Sequence, residues 1–274
     1  MNKKIIFILT ITLTLFLMIS AVSAGNMLDF LNSDEADPTN TENNLIIGFN
    51  AQFPPFGYKN ANGEYTGFDI ELAREVCKRN NWTLKLQPVI DWTSKKLELD
   101  SGEIDCIWSE FTIDGREDDY TWSEPYFKNT PYIIVKSDSN INTLDDLKNK
   151  TLEIQAGTSV LDNIKNNESL NGTYKEIVEV DAYYTALMDL DSGVCDGIIV
   201  DSGLADYLVI ENEDLKLLNK SIAHENYGIG FKKGNTELRD QVQKTLDEMY
   251  KDGTVDKIAQ KYSEYGIPEG VIHP

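Results

Sequence analysis

Two charged residues have the chemistry to hold a small solute that bears both signs of charge. Arg116 follows the strand-like run Phe111-Thr112-Ile113, and a guanidinium can hold both oxygens of a carboxylate in a bidentate pair. Asp201 follows the apolar run Gly197-Ile198-Ile199-Val200 and precedes Ser202-Gly203. An acid at the C-terminal end of a strand suits an ammonium. Gly157-Thr158-Ser159 opens a helix, whose first N–H groups favour an anion. Each feature also has an ordinary use. Arg116 can pair on a surface with Glu117 or Asp118, and residue type alone favours that pairing. Asp201 can cap the helix that follows it, and Thr158 and Ser159 can be caps alone.

Other chemistries are poorly supplied. No nucleophile triad or phosphate loop is present. His224 and His273 are far apart and offer no metal-ligand spacing, so neither a metal nor a cofactor is expected. Cys77, Cys106 and Cys195 are an odd number, and two of them sit in apolar runs. Buried free thiols are expected rather than a disulfide.

The elements that must position these residues begin after a distinctive N-terminus. Lys3 and Lys4 precede an apolar run over residues 5–19, and Val22 and Ala24 sit at the −3 and −1 positions of a cut before Gly25. Residues 1–24 therefore read as a secretory signal peptide, with a retained N-terminal anchor as the alternative. Residues 25–44 are polar and read as a flexible linker. The net charge of −21 argues against nucleic acid or anionic lipid as a partner.

From residue 45 onward strand and helix patterns alternate. Strands are expected over 45–49, 82–86 and 104–108, with helices over 70–80 and 92–101, the latter ending at Gly102. A second rhythm has strands over 132–135, 151–154, 174–180 and 197–200 and a helix over 182–192. A strand over 227–231 and helices over 237–252 and 254–262 close the chain. Alternation of this kind implies mostly parallel sheets flanked by helices. Two such units leave a cleft between them, a usual place for a small ligand.

Several motifs occur in order along this frame: Phe53-Pro54-Pro55-Phe56, Gly63-Glu64-Tyr65-Thr66-Gly67-Phe68-Asp69, Gly102-Glu103-Ile104-Asp105, Phe111-Thr112-Ile113-Asp114-Gly115-Arg116-Glu117, Ser123-Glu124-Pro125-Tyr126, Leu144-Asp145-Asp146-Leu147, Gly157-Thr158, Gly228-Ile229-Gly230-Phe231 and Gly253-Thr254. Through them the chain resembles the amino-acid-binding proteins of ABC importers, the family 3 extracellular solute-binding proteins. The resemblance implies an α/β, two-lobed type II periplasmic-binding-protein fold with mixed, mostly parallel sheets and a two-strand hinge. Lobe 1 would comprise residues 45–128 and 228–266, and lobe 2 residues 132–224. The hinge would lie near residues 127–131 and 224–227.

The same resemblance implies roles for site residues. Arg116 would take the ligand carboxylate and Asp201 its ammonium. Thr112, Thr158 and Ser159 would supply hydroxyl and N–H donors, with Ser109 in the same set. Phe53 and Trp92 match positions whose rings cover the ligand, with core packing as the alternative. Asn50 and Gln155 match positions facing the ligand side chain and, being uncharged, point to a polar amino acid. Glu110 departs from the family, which usually has Gly, Ala or Ser there. Its carboxylate can pair with Arg116, meet a cationic ligand group or face solvent.

The function implied is capture of a small ligand, a polar amino acid, outside the cytoplasm and its delivery to an ABC transporter permease by a monomer that is not an enzyme. Two alternatives stand beside it. One is an exported enzyme on the same scaffold, a cyclohexadienyl or arogenate dehydratase, for which Glu110 is the one candidate acid. The other is a sensory co-receptor.

Overall fold

The computed structural model describes residues 43–161, 164, 174–218 and 221–274. The expected export signal and nearly all of the expected linker lie outside them. Residues 44–274 form one compact unit. No helix among the described residues is long and apolar enough to cross a membrane.

The first strand, β1 (Asn44–Phe49), buries Leu45, Ile47 and Phe49. A short antiparallel meander follows, with β2 (Gln52–Phe53), β3 (Gly57–Lys59) and β4 (Tyr65–Thr66). The meander hands over to helix α1 (Phe68–Arg79) at Gly67, where φ is 128° and a Cβ would meet the Phe56 carbonyl oxygen at 2.1 Å. Only glycine fits there. Helix α1 buries Phe68, Leu72, Ala73, Val76 and Cys77 at helical spacing. Strand β5 (Thr83–Pro88) follows. Helix α2 (Lys95–Ser101) then ends at Gly102 in the left-handed region, as its sequence leads one to expect. Next come β6 (Cys106–Ile107) and β7 (Thr121–Trp122).

Two crossing strands lie between these strands and those of the second five-stranded sheet. Strand β8 (Phe127–Asn129) leads outward into β9 (Tyr132–Lys136). The chain continues through β10 (Thr151–Gln155), β11 (Glu176–Val180), helix α3 (Tyr183–Ser192), β12 (Gly197–Val200), helix α4 (Ser202–Glu211) and β13 (Leu215–Leu217). Strand β14 (Glu225–Tyr227) returns antiparallel to β8, and β15 (Gly230–Phe231) rejoins the first sheet. Helices α5 (Thr236–Lys251), α6 (Thr254–Ala259) and α7 (Ile267–Gly270) complete the chain.

Among the described residues there are two five-stranded sheets, ordered β5-β1-β6-β15-β7 and β11-β10-β12-β9-β13. In each, the first three strands run parallel and the last two pairings are antiparallel. The fold is therefore mixed α/β, as the alternating pattern implies.

Three local expectations are refined. The apolar stretch 227–231 is not one strand, because β14 must pair with the crossing strand β8 while β15 pairs with β6 and β7. The helix expected over 254–262 passes after Ala259 into a 3-10 turn over Gln260–Tyr265, where Tyr262 leaves helical geometry. The meander, α4 and β13 are elements that the periodicity did not signal. The cysteines Cys77, Cys106 and Cys195 are buried free thiols, as expected.

Candidate functional site

In open α/β sheets the ligand crevice lies beyond the C-terminal ends of the strands, and the expected residues sit there. Asn50 follows β1, Ser109 and Glu110 follow β6, Gln155 ends β10, and Asp201 follows β12. One cavity between the two sheets is lined from the first sheet by Phe53, Trp92, Glu110, Phe111, Thr112 and Arg116. From the second it is lined by Gln155, Thr158, Ser159, Val160, Tyr183 and Asp201. Asn50 and Ser109 stand behind this wall. The Asn50 side chain donates to Gln155 Oε1 at 3.2 Å, and its backbone N–H donates to Ser109 Oγ at 2.9 Å.

The two walls touch. Arg116 donates to the Gly157 carbonyl at 3.0 Å, and its guanidinium lies 5.2 Å over the Phe111 ring. Lys95 donates to the same carbonyl at 3.0 Å and to that of Trp92 at 2.8 Å. Phe53 meets Tyr183 edge-on at 5.1 Å. The enclosed space is about 20 Å³, on the order of one water molecule.

Asp201 is buried at the N-terminus of α4 without making a side-chain cap bond. Instead its Oδ1 accepts from Asn129 Nδ2 at 2.7 Å. Burial, with Glu225 beside it, raises its carboxyl to about 7. Asn129 is the clasp of this corner. Its Nδ2 also donates to Glu225 at 3.2 Å, and its Oδ1 accepts the Ser202 N–H at 3.2 Å.

The expected hydroxyl donors are mostly committed within the protein. Thr112 and Ser159 donate to the two oxygens of Glu225, at 3.0 and 2.9 Å, and Thr158 donates to the Gln155 carbonyl at 3.0 Å. The helix expected to open at Gly157-Thr158-Ser159 is described only at Val160, Leu161 and Ile164.

Glu110 faces inward, 7% exposed. Its N–H donates to Asp69 Oδ2 at 2.8 Å, and Asp69 Oδ1 accepts from the Tyr126 hydroxyl at 2.9 Å. Ser109 donates to Glu110 Oε2, while Glu110 Oε1 has no hydrogen-bond partner among the described residues. Burial, reinforced by Asp69, pushes the Glu110 carboxyl well above the ordinary range, and burial holds Asp69 at about 7. Lys95 moves the other way, down to about 7, because it is buried and faces Arg116.

Residue-level reading of the sequence missed Lys95, Asp69, Asn129, Tyr183 and Glu225. Asn129 and Glu225 fall on the stretches expected to cross between lobes, which is the one signal that could have found them. Nothing local marks Lys95. Its partner Gly157 lies 62 residues away.

The model of the bacterial extracellular solute-binding proteins, family 3, matches residues 45–265. The L-cystine-binding protein TcyJ of Escherichia coli (strain K12) is 28% identical over 248 residues, covering 89% of this chain and 91% of its own. The solved structure of Tv2483 bound to L-arginine superposes with a TM-score of 0.77 at 27% identity, covering 81% of this chain and 90% of that one. The ancestral amino acid-binding protein AncCDT-1, a precursor of cyclohexadienyl dehydratase, superposes with a TM-score of 0.72 at 30% identity, covering 80% and 95%.

Proposed function

This chain belongs to the bacterial extracellular solute-binding proteins of family 3, and from that premise we propose that it captures an amino acid in the cleft between its two sheets and delivers it to an ABC transporter permease. The observation that carries this reading is that the Arg116 guanidinium and the buried Asp201 carboxyl line one cavity from opposite walls. The ligand carboxylate takes Arg116, and its ammonium replaces part of what Asn129 now supplies to Asp201. Phe53, Trp92 and Tyr183 cover its carbon skeleton.

A space of about 20 Å³ is too small for any amino acid, so entry requires the walls to part. The lobes, residues 45–128 with 228–266 and residues 132–224, open about the antiparallel pair β8–β14. Opening releases the Arg116, Lys95 and Asn50 contacts across the cleft, and ligand charges take their place. Ligand thereby shifts the population toward the closed form that the permease recognises. Residues 1–24 direct export, and the chain acts outside the cytoplasm as a monomer without catalysis.

Calorimetry with the common amino acids tests this. One or a few will bind, and Arg116→Ala will weaken that binding about a hundredfold or more, ~2.7 kcal/mol. Failure of every amino acid to bind, or binding indifferent to Arg116→Ala, would sink the reading.

A second reading draws on Glu110, whose carboxyl burial pushes well above the ordinary range, the direction a general acid needs, and on the likeness to AncCDT-1. It is dehydration of a prephenate-like substrate, which Glu110→Gln would abolish.

A further inference from the structure

We propose that Glu110 makes the cleft selective for amino acids that carry a second cationic N–H donor besides the α-ammonium, such as a side-chain ammonium or guanidinium. The proposal rests on the amino-acid reading of the cleft. Glu110 is more than nine-tenths buried and lines the same cavity as Arg116 and Asp201, and its Oε1 has no hydrogen-bond partner among the described residues. A buried acceptor in that condition is costly and uncommon. With Arg116 taking the ligand carboxylate and Asp201 accepting from its α-ammonium, this oxygen is the acceptor left for a second cationic group.

The position is held deliberately. Glu110 has φ of 35°, a left-handed conformation that non-glycine residues seldom adopt. Its backbone is pinned there by the N–H bond to Asp69, which Tyr126 anchors in turn. The sequence thus places a glutamate where a glycine would be less strained, and aims its carboxyl into the cleft.

The charges around Glu110 explain why the missing donor should be cationic. Asp69 and Asp201 bear the same sign and raise its proton affinity, while Lys95 acts against them. Lys95 directs two of its donors to the carbonyls of Trp92 and Gly157, and Arg116 directs one to Gly157. Glu225, on the crossing strand behind the cavity, accepts from Thr112, Ser159 and Asn129. A neutral donor would satisfy the hydrogen bond of Oε1 and leave the excess of acids unchanged. A cationic donor satisfies both, and charge-assisted bonds are the stronger class. Where Glu110 is protonated, Oε1 still accepts, and an approaching cation favours loss of the proton.

Matched ligands that differ in side-chain charge test the proposal by titration calorimetry on the purified protein: arginine against citrulline, lysine against norleucine, ornithine against norvaline, and diaminopropionate against serine. In at least one pair the cationic member should bind about tenfold or more tightly. Glu110→Gln should bring that pair to within about threefold while binding of the neutral member persists. Neutral members that match or exceed their cationic partners in every pair overturn the proposal, and this arm needs no variant to fold. A Glu110→Gln protein that keeps the wild-type discrimination overturns it too. If no amino acid binds, or if Arg116→Ala leaves binding intact, the cleft reading itself falls and the proposal with it. A cleft that binds amino acids through Arg116 without preferring cations sinks the proposal alone.

Discussion

The sheet built on β1 and the sheet built on β10 place their strands in equivalent order, yet the ends they turn toward the cleft carry different groups. The first contributes Lys95, Arg116 and Glu110, with Asp69 beneath. Among the described residues the second contributes one charged side chain, Asp201, along with Gln155, Thr158 and Ser159. Their interiors differ as well. Beside the first, Phe56 packs against Phe53 and Phe68 and against Phe127 and Tyr227 of the crossing strands, with ring centroids 5.1–6.3 Å from its own. One part of the second is aliphatic, with Ile133, Val135, Leu152, Ile154 and Ile199 buried together. Interlocked rings make a stiff base that can hold buried charges of both signs in fixed geometry.

Core truncation tests this contrast most severely. Phe56→Ala should lower the unfolding free energy by about 4 kcal/mol, whereas Ile154→Val should cost about 1 kcal/mol, both measured by urea denaturation. Equal costs would break the contrast between an aromatic base and an aliphatic partner.

Charge removal sharpens it next. Asp201→Asn should weaken amino-acid binding by about thirtyfold, ~2 kcal/mol, because the ligand ammonium loses its counter-charge. The folded state should be no less stable, since the variant also removes a buried acid that burial already disfavours in its charged form. A variant that unfolds more readily would mean that Asp201 is a structural partner of Asn129 rather than a ligand group.

The smallest effect is on pH dependence. Asp69 is raised from 3.8 to about 7 by burial. Below about pH 4 it is protonated in both folded and unfolded chains. Between those values the unfolded chain sheds the proton and the folded chain keeps it. Stability measured without added ligand should therefore fall as pH rises from about 4 through about 7, with Glu110 and Asp201 adding in the same direction, while Lys95, lowered to about 7, contributes a rise above that value. Thermal unfolding across that range should show a flatter slope in Asp69→Asn. An unchanged slope would place the titration elsewhere.

Much of this architecture could be read from residue order. The apolar runs that became β1, β10 and β12 and the helical spacing of Phe68, Leu72, Ala73 and Val76 are local patterns, and local patterns survive in one dimension. Arg116 and Asp201 could be singled out because guanidinium and carboxylate chemistry belongs to the residue type. Their ordinary alternatives could not be separated there. The Asp201 side chain makes no cap bond, and that is known only once Asn129 is seen beside it.

The partners of the site belong to the other class. Lys95 with Gly157, Asn129 with Asp201, and Glu110 with Asp69 are brought together from 62, 72 and 41 residues apart. Which of two hydroxyls serves a ligand and which serves Glu225, and whether a glutamate faces water or a closed cleft, depend on distance and solvation. Residue type and periodicity specify which groups the chain owns and on which element each stands. Burial, and with it the protonation of Glu110, Asp69, Asp201 and Lys95, is a property of the packed whole, because desolvation exists only where two surfaces have met.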